Sequence, residues 1–353
     1  RWALSYQPSY TAYRTFSSYD RLDQAGAVEM SWRLGPHWFL RLSENAAYGR
    51  YLSAPAAAQV PGSVLALNNF VLTPFVRQFS QQPTAELEYV ASYRWSFHLL
   101  GGYLEHRYFG ASANIGSALS DLDGITGGAG VDYRLNRRTT LGLMLDYEDA
   151  RLAGGASRMR LGTALLALTR VLSPVASVTL FAGPQQAELR ENLGPFLPAA
   201  ALASNPGLAS LHQNDLSWTA GGTLTVEEHN TAWNLTVSRR GTDSGGLFAG
   251  AVVASQALVG VEQRLGLHWT AGATAGYERM SLLGVHLANS LSDYSSWTAG
   301  AHMDRTLGRH WDLHANYDYA QQTEQGVLPL AAVLGRQQVS LGIGYRLSFG
   351  QGD

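Results

Sequence analysis

The sequence predicts an all-β chain: a transmembrane, antiparallel, up-and-down β-barrel of about sixteen strands, with fourteen or eighteen as the neighbouring even counts. Three observations carry this. Apolar and polar residues alternate with period two over unusually long runs, the links between runs are alternately short and long, and most tryptophans fall at the short-link ends.

The runs can be followed along the chain. The first strand is placed near Ala3 to Arg14, followed by alternation at Leu87 to Trp95, Ile125 to Arg134 and Leu141 to Tyr147. It weakens at Leu161 to Arg170 and Val178 to Gln185, then recovers at Leu216 to Glu227, Trp233 to Arg239, Ala251 to Arg264, Leu267 to Tyr277 and Trp297 to Asp304. Trp311, Leu313, Ala315, Tyr317 and Tyr319 share one face, with Asp312, His314, Asn316, Asp318 and Ala320 on the other. The last run is strict: Val339, Leu341, Ile343, Tyr345, Leu347 and Phe349 alternate with Gln338, Ser340, Gly342, Gly344, Arg346 and Ser348. Only a strand with two unlike faces satisfies that pattern. No window has a comparable helical period, and strands of about 10 to 14 residues exceed the usual globular length of about 5 or 6.

Short turns are read at 33–38, 94–98, 134–138, 170–174, 227–230, 264–269 and 305–311. The longer links are 15–23, 51–82, 109–122, 152–156, 188–212, 244–249, 281–291 and 324–336. One barrel domain over 1–353 follows, with long extracellular loops at about 51–82 and 188–212. Both are rich in apolar residues and proline, which predicts a lumen constriction or a docking surface.

In a soluble barrel the apolar face points inward. Sixteen long strands enclose too wide a lumen for side chains to fill, so the apolar face is assigned to lipid and the polar face to water. Trp2, Trp32, Trp38, Trp95, Trp233, Trp269 and Trp311 sit next to short turns, with Trp218 and Trp297 nearer the long links. The nine are read as membrane-interface girdles.

Composition narrows the chemistry. The 353 residues include no Cys, and all 25 basic residues are Arg. A disulfide framework, a thiolate metal site, a Cys nucleophile, a Schiff-base lysine and a Walker-type phosphate lysine are thereby excluded. A formal net charge of -2 without basic runs predicts no nucleic-acid partner. No stretch approaches the roughly 18 apolar residues of a membrane-spanning helix. The start at Arg1-Trp2-Ala3-Leu4 predicts an export signal already cleaved.

With these strands and turns the chain resembles the bacterial outer-membrane β-barrel class over essentially its whole length. Its last strand is similar to that class's C-terminal assembly signal, with Tyr345, Leu347 and Phe349 followed here by Gly350-Gln351-Gly352-Asp353. The resemblance implies outer-membrane lipid and the barrel-assembly machinery as partners, short turns in the periplasm and long loops outside. A surface or periplasmic protein partner is the further candidate. By strand count the chain is similar to porins and polysaccharide-export barrels. The function expected is a channel or export conduit for polar solutes or a polymer, with a loop-controlled lumen. The alternative is a plugged structural barrel that anchors a surface partner, with a rim or lumen hydrolase ranked third.

Parity assigns Glu29, Arg33, Arg41, Glu86, Glu88, Arg94, Asp132, Arg134, Asp146, Glu148, Glu227, Arg240, Glu262, Arg264, Asp304, Asp312, Asp318 and Arg346 to the lumen. They can form an aqueous pathway with charge rings or tie neighbouring strands by cross-strand pairs. A regular hairpin at 305–311 would set Asp304 opposite Asp312 and His302 opposite His314, a set that can ligate a divalent metal or run acid–base chemistry. Solvated lumen residues are the competing reading, and no metal or cofactor is expected. The Gly127-Gly128-Ala129-Gly130 and Gly221-Gly222 stretches lie inside strand patterns, so they are assigned to close strand approach rather than phosphate binding. No Gly-x-Ser-x-Gly elbow or triad spacing specifies a catalytic site.

Overall fold

A computed structural model describes residues 2–11, 21–49, 77–109, 121–152, 157–192, 210–243, 251–282, 293–308, 311–325 and 333–349. The sixteen strands are β1 (Trp2–Thr11), β2 (Arg21–Arg33), β3 (Trp38–Gly49), β4 (Arg77–Val90), β5 (Trp95–Phe109), β6 (Leu122–Asn136), β7 (Thr139–Leu152) and β8 (Ser157–Ser173), then β9 (Ala176–Asn192), β10 (Ser210–Glu228), β11 (Thr231–Asp243), β12 (Ala251–Arg264), β13 (Trp269–Leu282), β14 (Asp293–Leu307), β15 (Trp311–Gln325) and β16 (Val333–Phe349). Each pairs antiparallel with its chain neighbours, and β16 pairs with β1 through Trp2↔Phe349 and Leu4↔Leu347 to close the barrel.

The predicted architecture is therefore found, with differences in extent. Strands run from 10 residues in β1 to 19 in β10. Residues 77–82 belong to β4, 188–192 to β9 and 210–212 to β10, all inside links expected from sequence. The remainders of those links, 51–76 and 193–209, lie outside the described residues, as does 350–353. The turn read at 94–98 is at 91–94 instead, so the run Leu87 to Trp95 crosses a hairpin. The Ser92 hydroxyl accepts the backbone N–H groups of Arg94 and Trp95, both at 3.2 Å, and fixes the reversal there. Two other short turns use left-handed glycines, Gly266 at φ 116° and Gly308 at φ 77°, a conformation open to glycine at little cost.

Large apolar side chains stand exposed on the outward face of every strand but β4, including Leu99, Leu145, Leu166, Leu216, Val339 and Leu341. That is the reverse of a soluble barrel and what lipid contact requires. All nine tryptophans lie on this outer face, between 39% and 58% exposed. Trp38 packs on Tyr89 (4.5 Å between ring centroids) and Trp95 on Tyr133 (4.6 Å) at the short-turn end. Toward the other end, Trp297 packs on Tyr277 (4.6 Å) and Arg239 lies over Trp218 (4.6 Å). From Val226, level with Trp233, up to Trp218 is eight residues of β10. At roughly 3.3 Å per residue and 35–45° of tilt this is roughly 20 Å, close to the ~25 Å apolar band of outer-membrane barrels.

Beyond the upper aromatic level the polarity inverts. Toward the long-link ends of β6 to β9 the inward positions become apolar and buried: Leu122, Ala150, Leu152, Met159, Leu161, Ala187 and Leu189 form a packed cluster, with Leu104 of β5 against it. Farther round the barrel, in β12 and β13, Val252, Ala254 and Met280 are also buried. The outward positions of the same stretch carry Asp149, Arg151, Arg158, Arg160, Glu188 and Arg190. Here the strands are built as in a soluble barrel, which places these ends outside the hydrocarbon.

Candidate functional site

The inner wall of the barrel is the candidate site. Strand alternation and cross-strand register put Glu29, Arg33, Arg41, Glu86, Glu88, Asp132, Arg134, Asp146, Glu148, Glu227, Arg240, Glu262, Arg264, Asp304, Asp312 and Asp318 on the inner face. Arg346 pairs with Ser5 in the β1–β16 seam. Arg94 differs: it stands in the 91–94 turn, beyond the reach of strand parity. Its guanidinium donates to the hydroxyls of Tyr93 (2.5 Å) and Tyr133 (3.5 Å), which makes it part of the short-turn rim rather than the lumen.

The inner charges are organised by cross-strand contact. Arg41 of β3 donates to Glu86 of β4 at 3.0 Å. Glu86 lies 3.7 Å from His98 of β5, and the other ring nitrogen of His98 lies 3.1 Å from Asp132 of β6. Four adjacent strands are thus linked by contacts between acidic and basic side chains along the lumen wall. Ser43 and Thr84 add a hydroxyl pair between β3 and β4 at 2.5 Å. His98 did not emerge from the sequence because the turn was read across it.

The hairpin between β14 and β15 also differs from expectation. Leu307 pairs with Trp311, so Asp304 faces His314, His302 faces Asn316, and Asp312 faces Thr306. The His314 ring donates through Nδ1 to the Asp304 carboxylate at 2.7 Å, and His302 is 3.9 Å from the same carboxylate. A two-residue shift keeps each side chain on its face but changes its partner. Asp312 is removed from the set, and among the described residues no group of three or more His, Asp or Glu converges as a metal site would.

Asp23, Asp215 and Glu278 also occupy inward positions, in strand stretches longer than the sequence suggested. Counting only side chains described, inward carboxylates outnumber the inward arginines Arg33, Arg41, Arg134, Arg240 and Arg264 by more than two to one. Among the described side chains the inner wall therefore carries an acidic excess that the overall net charge of -2 conceals.

A second inward feature is a buried staple. The side-chain amide of Gln185 in β9 donates to the carbonyl of Gly241 in β11 at 2.9 Å. Its oxygen accepts from the Gly241 N–H at 2.7 Å and from the Thr219 hydroxyl of β10 at 2.9 Å. Three successive strands are tied by one residue that is only 1% exposed. A β-carbon at Gly241 would fall 2.7 Å from the Gln185 amide oxygen, so the close approach needs glycine.

No protein-family model matches the chain, and no curated protein matches it by sequence. Solved structures do resemble it. The outer membrane channel DcaP of Acinetobacter baumannii superposes with a TM-score of 0.55 at 10% identity, over 98% of this chain and 95% of that one. The outer membrane protein OpdK of Pseudomonas aeruginosa gives 0.45 at 15% identity, over 99% and 98%. A bacterial polysaccharide outer membrane secretin gives 0.43 at 8%, also over 99% and 98%. At these identities the likeness is one of fold: the chain is an all-β, sixteen-stranded antiparallel barrel with an apolar exterior, a fold it shares with the outer membrane channel DcaP.

Proposed function

We propose that the protein is an outer-membrane channel whose lumen favours cations and neutral polar solutes over anions. The carboxylate excess on the inner wall carries this reading. Sixteen strands can enclose an aqueous path, and side-chain charges on the wall of such a path set its selectivity. In this reading the chain is exported with a cleaved signal peptide and inserted by the barrel-assembly machinery, with short turns in the periplasm. Catalysis plays no part in it.

The buried apolar tier formed by Leu122, Leu152, Met159, Leu189 and Met280 favours a second reading. There the lumen narrows at the long-link end and the barrel serves as a closed anchor for a surface partner.

Planar-bilayer recording across a tenfold KCl gradient separates the two. The channel reading expects stable conductance with a reversal potential of cation-selective sign, shifted toward zero by Glu88→Gln with Asp132→Asn. An anion-selective current refutes it, and a folded barrel that never conducts supports the anchor.

A further inference from the structure

We propose that Arg151, Arg158, Arg190 and His212 form a binding row on the outer wall for the phosphate groups of an outer-leaflet glycolipid. The four residues come from adjacent strands β7 to β10 and lie directly across from one another: Arg151↔Arg158, Arg158↔Arg190 and Arg190↔His212. Their alternation matches that of Leu145, Tyr147, Leu216 and Trp218, so the row faces outward.

Like charges placed directly opposite each other destabilise a sheet, yet here the placement repeats across consecutive strand pairs. The row below offsets it only in part. It reads Asp149, Arg160, Glu188 and Asn214, again in direct register. Asp149 is held by Arg158 and by Arg160 at 3.4 Å, while Glu188 is held by Arg160 at 3.4 Å and by Arg190. Two carboxylates thus serve three arginines, Arg158, Arg160 and Arg190, and Arg151 makes no ion pair among the described residues. The carboxylates lie underneath, 10% and 23% exposed, with the Arg190 and His212 side chains above them at 58% and 59%. Asp123 of β6 stands across from Arg151 at the end of the row; from β7 to β10 the outermost surface is basic, and the acids beneath orient the guanidinium groups of Arg158 and Arg190.

Position identifies the anion. Tyr147 and Leu216 end the exposed apolar wall, and Arg151 is four residues above Tyr147 on the same strand and face. At roughly 3.3 Å per residue and about 40° of tilt, the row stands roughly 10 Å above the hydrocarbon edge, within reach of the headgroup layer for a long side chain. Arginine forks match phosphate oxygens in pairs, which a lysine ammonium does not. The wall continues the lipid-contacting surface without a break, so a membrane glycolipid reaches the row by lateral diffusion.

Lipid retention by the full-length, detergent-purified barrel tests the assignment, using bisphosphorylated lipid A, its dephosphorylated counterpart and inorganic phosphate as probes in native mass spectrometry. The double variant Arg151→Gln/Arg190→Gln leaves Asp149 paired with Arg158 and Arg160, and Glu188 paired with Arg160. It is expected to weaken lipid A binding by about tenfold, the loss of one charge-assisted contact or more, with heat-modifiable gel mobility unchanged. Equal retention of the dephosphorylated lipid, or unchanged retention by the double variant, overturns the proposal and leaves the row to a protein partner. Displacement of lipid A by millimolar inorganic phosphate also overturns it, in favour of a free anion. The outcome is independent of lumen selectivity, which is read by conductance in the same preparation.

Discussion

Leu341→Arg tests the lipid-facing assignment most directly. Leu341 is 69% exposed on the outer face of β16 and pairs with Ala315 and Tyr10. Tyr345, which pairs with the girdle residue Trp311, is four residues nearer the short-turn rim. Four residues at roughly 3.3 Å, inclined by about 40°, raise Leu341 roughly 10 Å above that rim, near the middle of a ~25 Å apolar band. An arginine at the midplane of such a band costs about 2 to 4 kcal/mol. The folding constant therefore falls by between one and three powers of ten. Urea titration of folding into phospholipid vesicles, followed by tryptophan fluorescence, measures the change. Asn316→Arg serves as the matched control, because Asn316 is on the inner face beside Ala315. It is expected to change stability by less than about 1 kcal/mol. A neutral Leu341→Arg, or an Asn316→Arg more costly than it, would refute the facing of the strands.

Two further outcomes are expected. Gln185→Leu leaves the Thr219 hydroxyl and both backbone groups of Gly241 without their partner in a buried site, so destabilisation of about 1 to 3 kcal/mol per unsatisfied group is expected in the same titration. A variant as stable as the parent would show that the staple contributes nothing. In single-tryptophan variants retaining Trp269 or Trp297, quenchers carried near the lipid headgroups should act more strongly than quenchers at the chain ends, since these residues occupy opposite interfaces. Preferential quenching of either residue from the bilayer centre would contradict the two-girdle arrangement.

The sequence was most legible where lipid and water meet opposite faces of one strand. β15 and β16 could be read residue by residue from Trp311 to Tyr319 and from Val339 to Ile343, where outward positions are apolar and inward ones small or polar; toward the long-link end Gln321 and Gln337 take outward positions and the pattern fades. β8 and β9 were hard to read for a physical reason. Met159, Leu161 and Leu165 point inward while Leu166, Leu168 and Leu180 point outward, so apolar residues occupy both parities and the period-two signal cancels. Glu188, Arg190 and His212 were absorbed into the link read at 188–212, so the row they complete with Arg151 and Arg158 went unseen. In the lumen, parity fixed the facing of Asp304 and His314 but not their pairing, because that depends on where the turn lies. The Gln185 staple left no local trace, since its partners Thr219 and Gly241 are distant in the chain.

The β1–β16 seam bears on how such a chain can assemble. Every other pairing joins consecutive strands, so it can form while the rest of the chain is undocked, and only this one must bring the two ends of the described barrel together. Until it forms, two rows of backbone N–H and C=O groups remain without partners, which hydrocarbon does not tolerate and other strands can capture. A partly zipped sheet is therefore a poor resident of the bilayer and an easy recruit for aggregation. Insertion and closure have to be nearly simultaneous, or the free edges must be shielded by another strand-presenting surface until Trp2 meets Phe349.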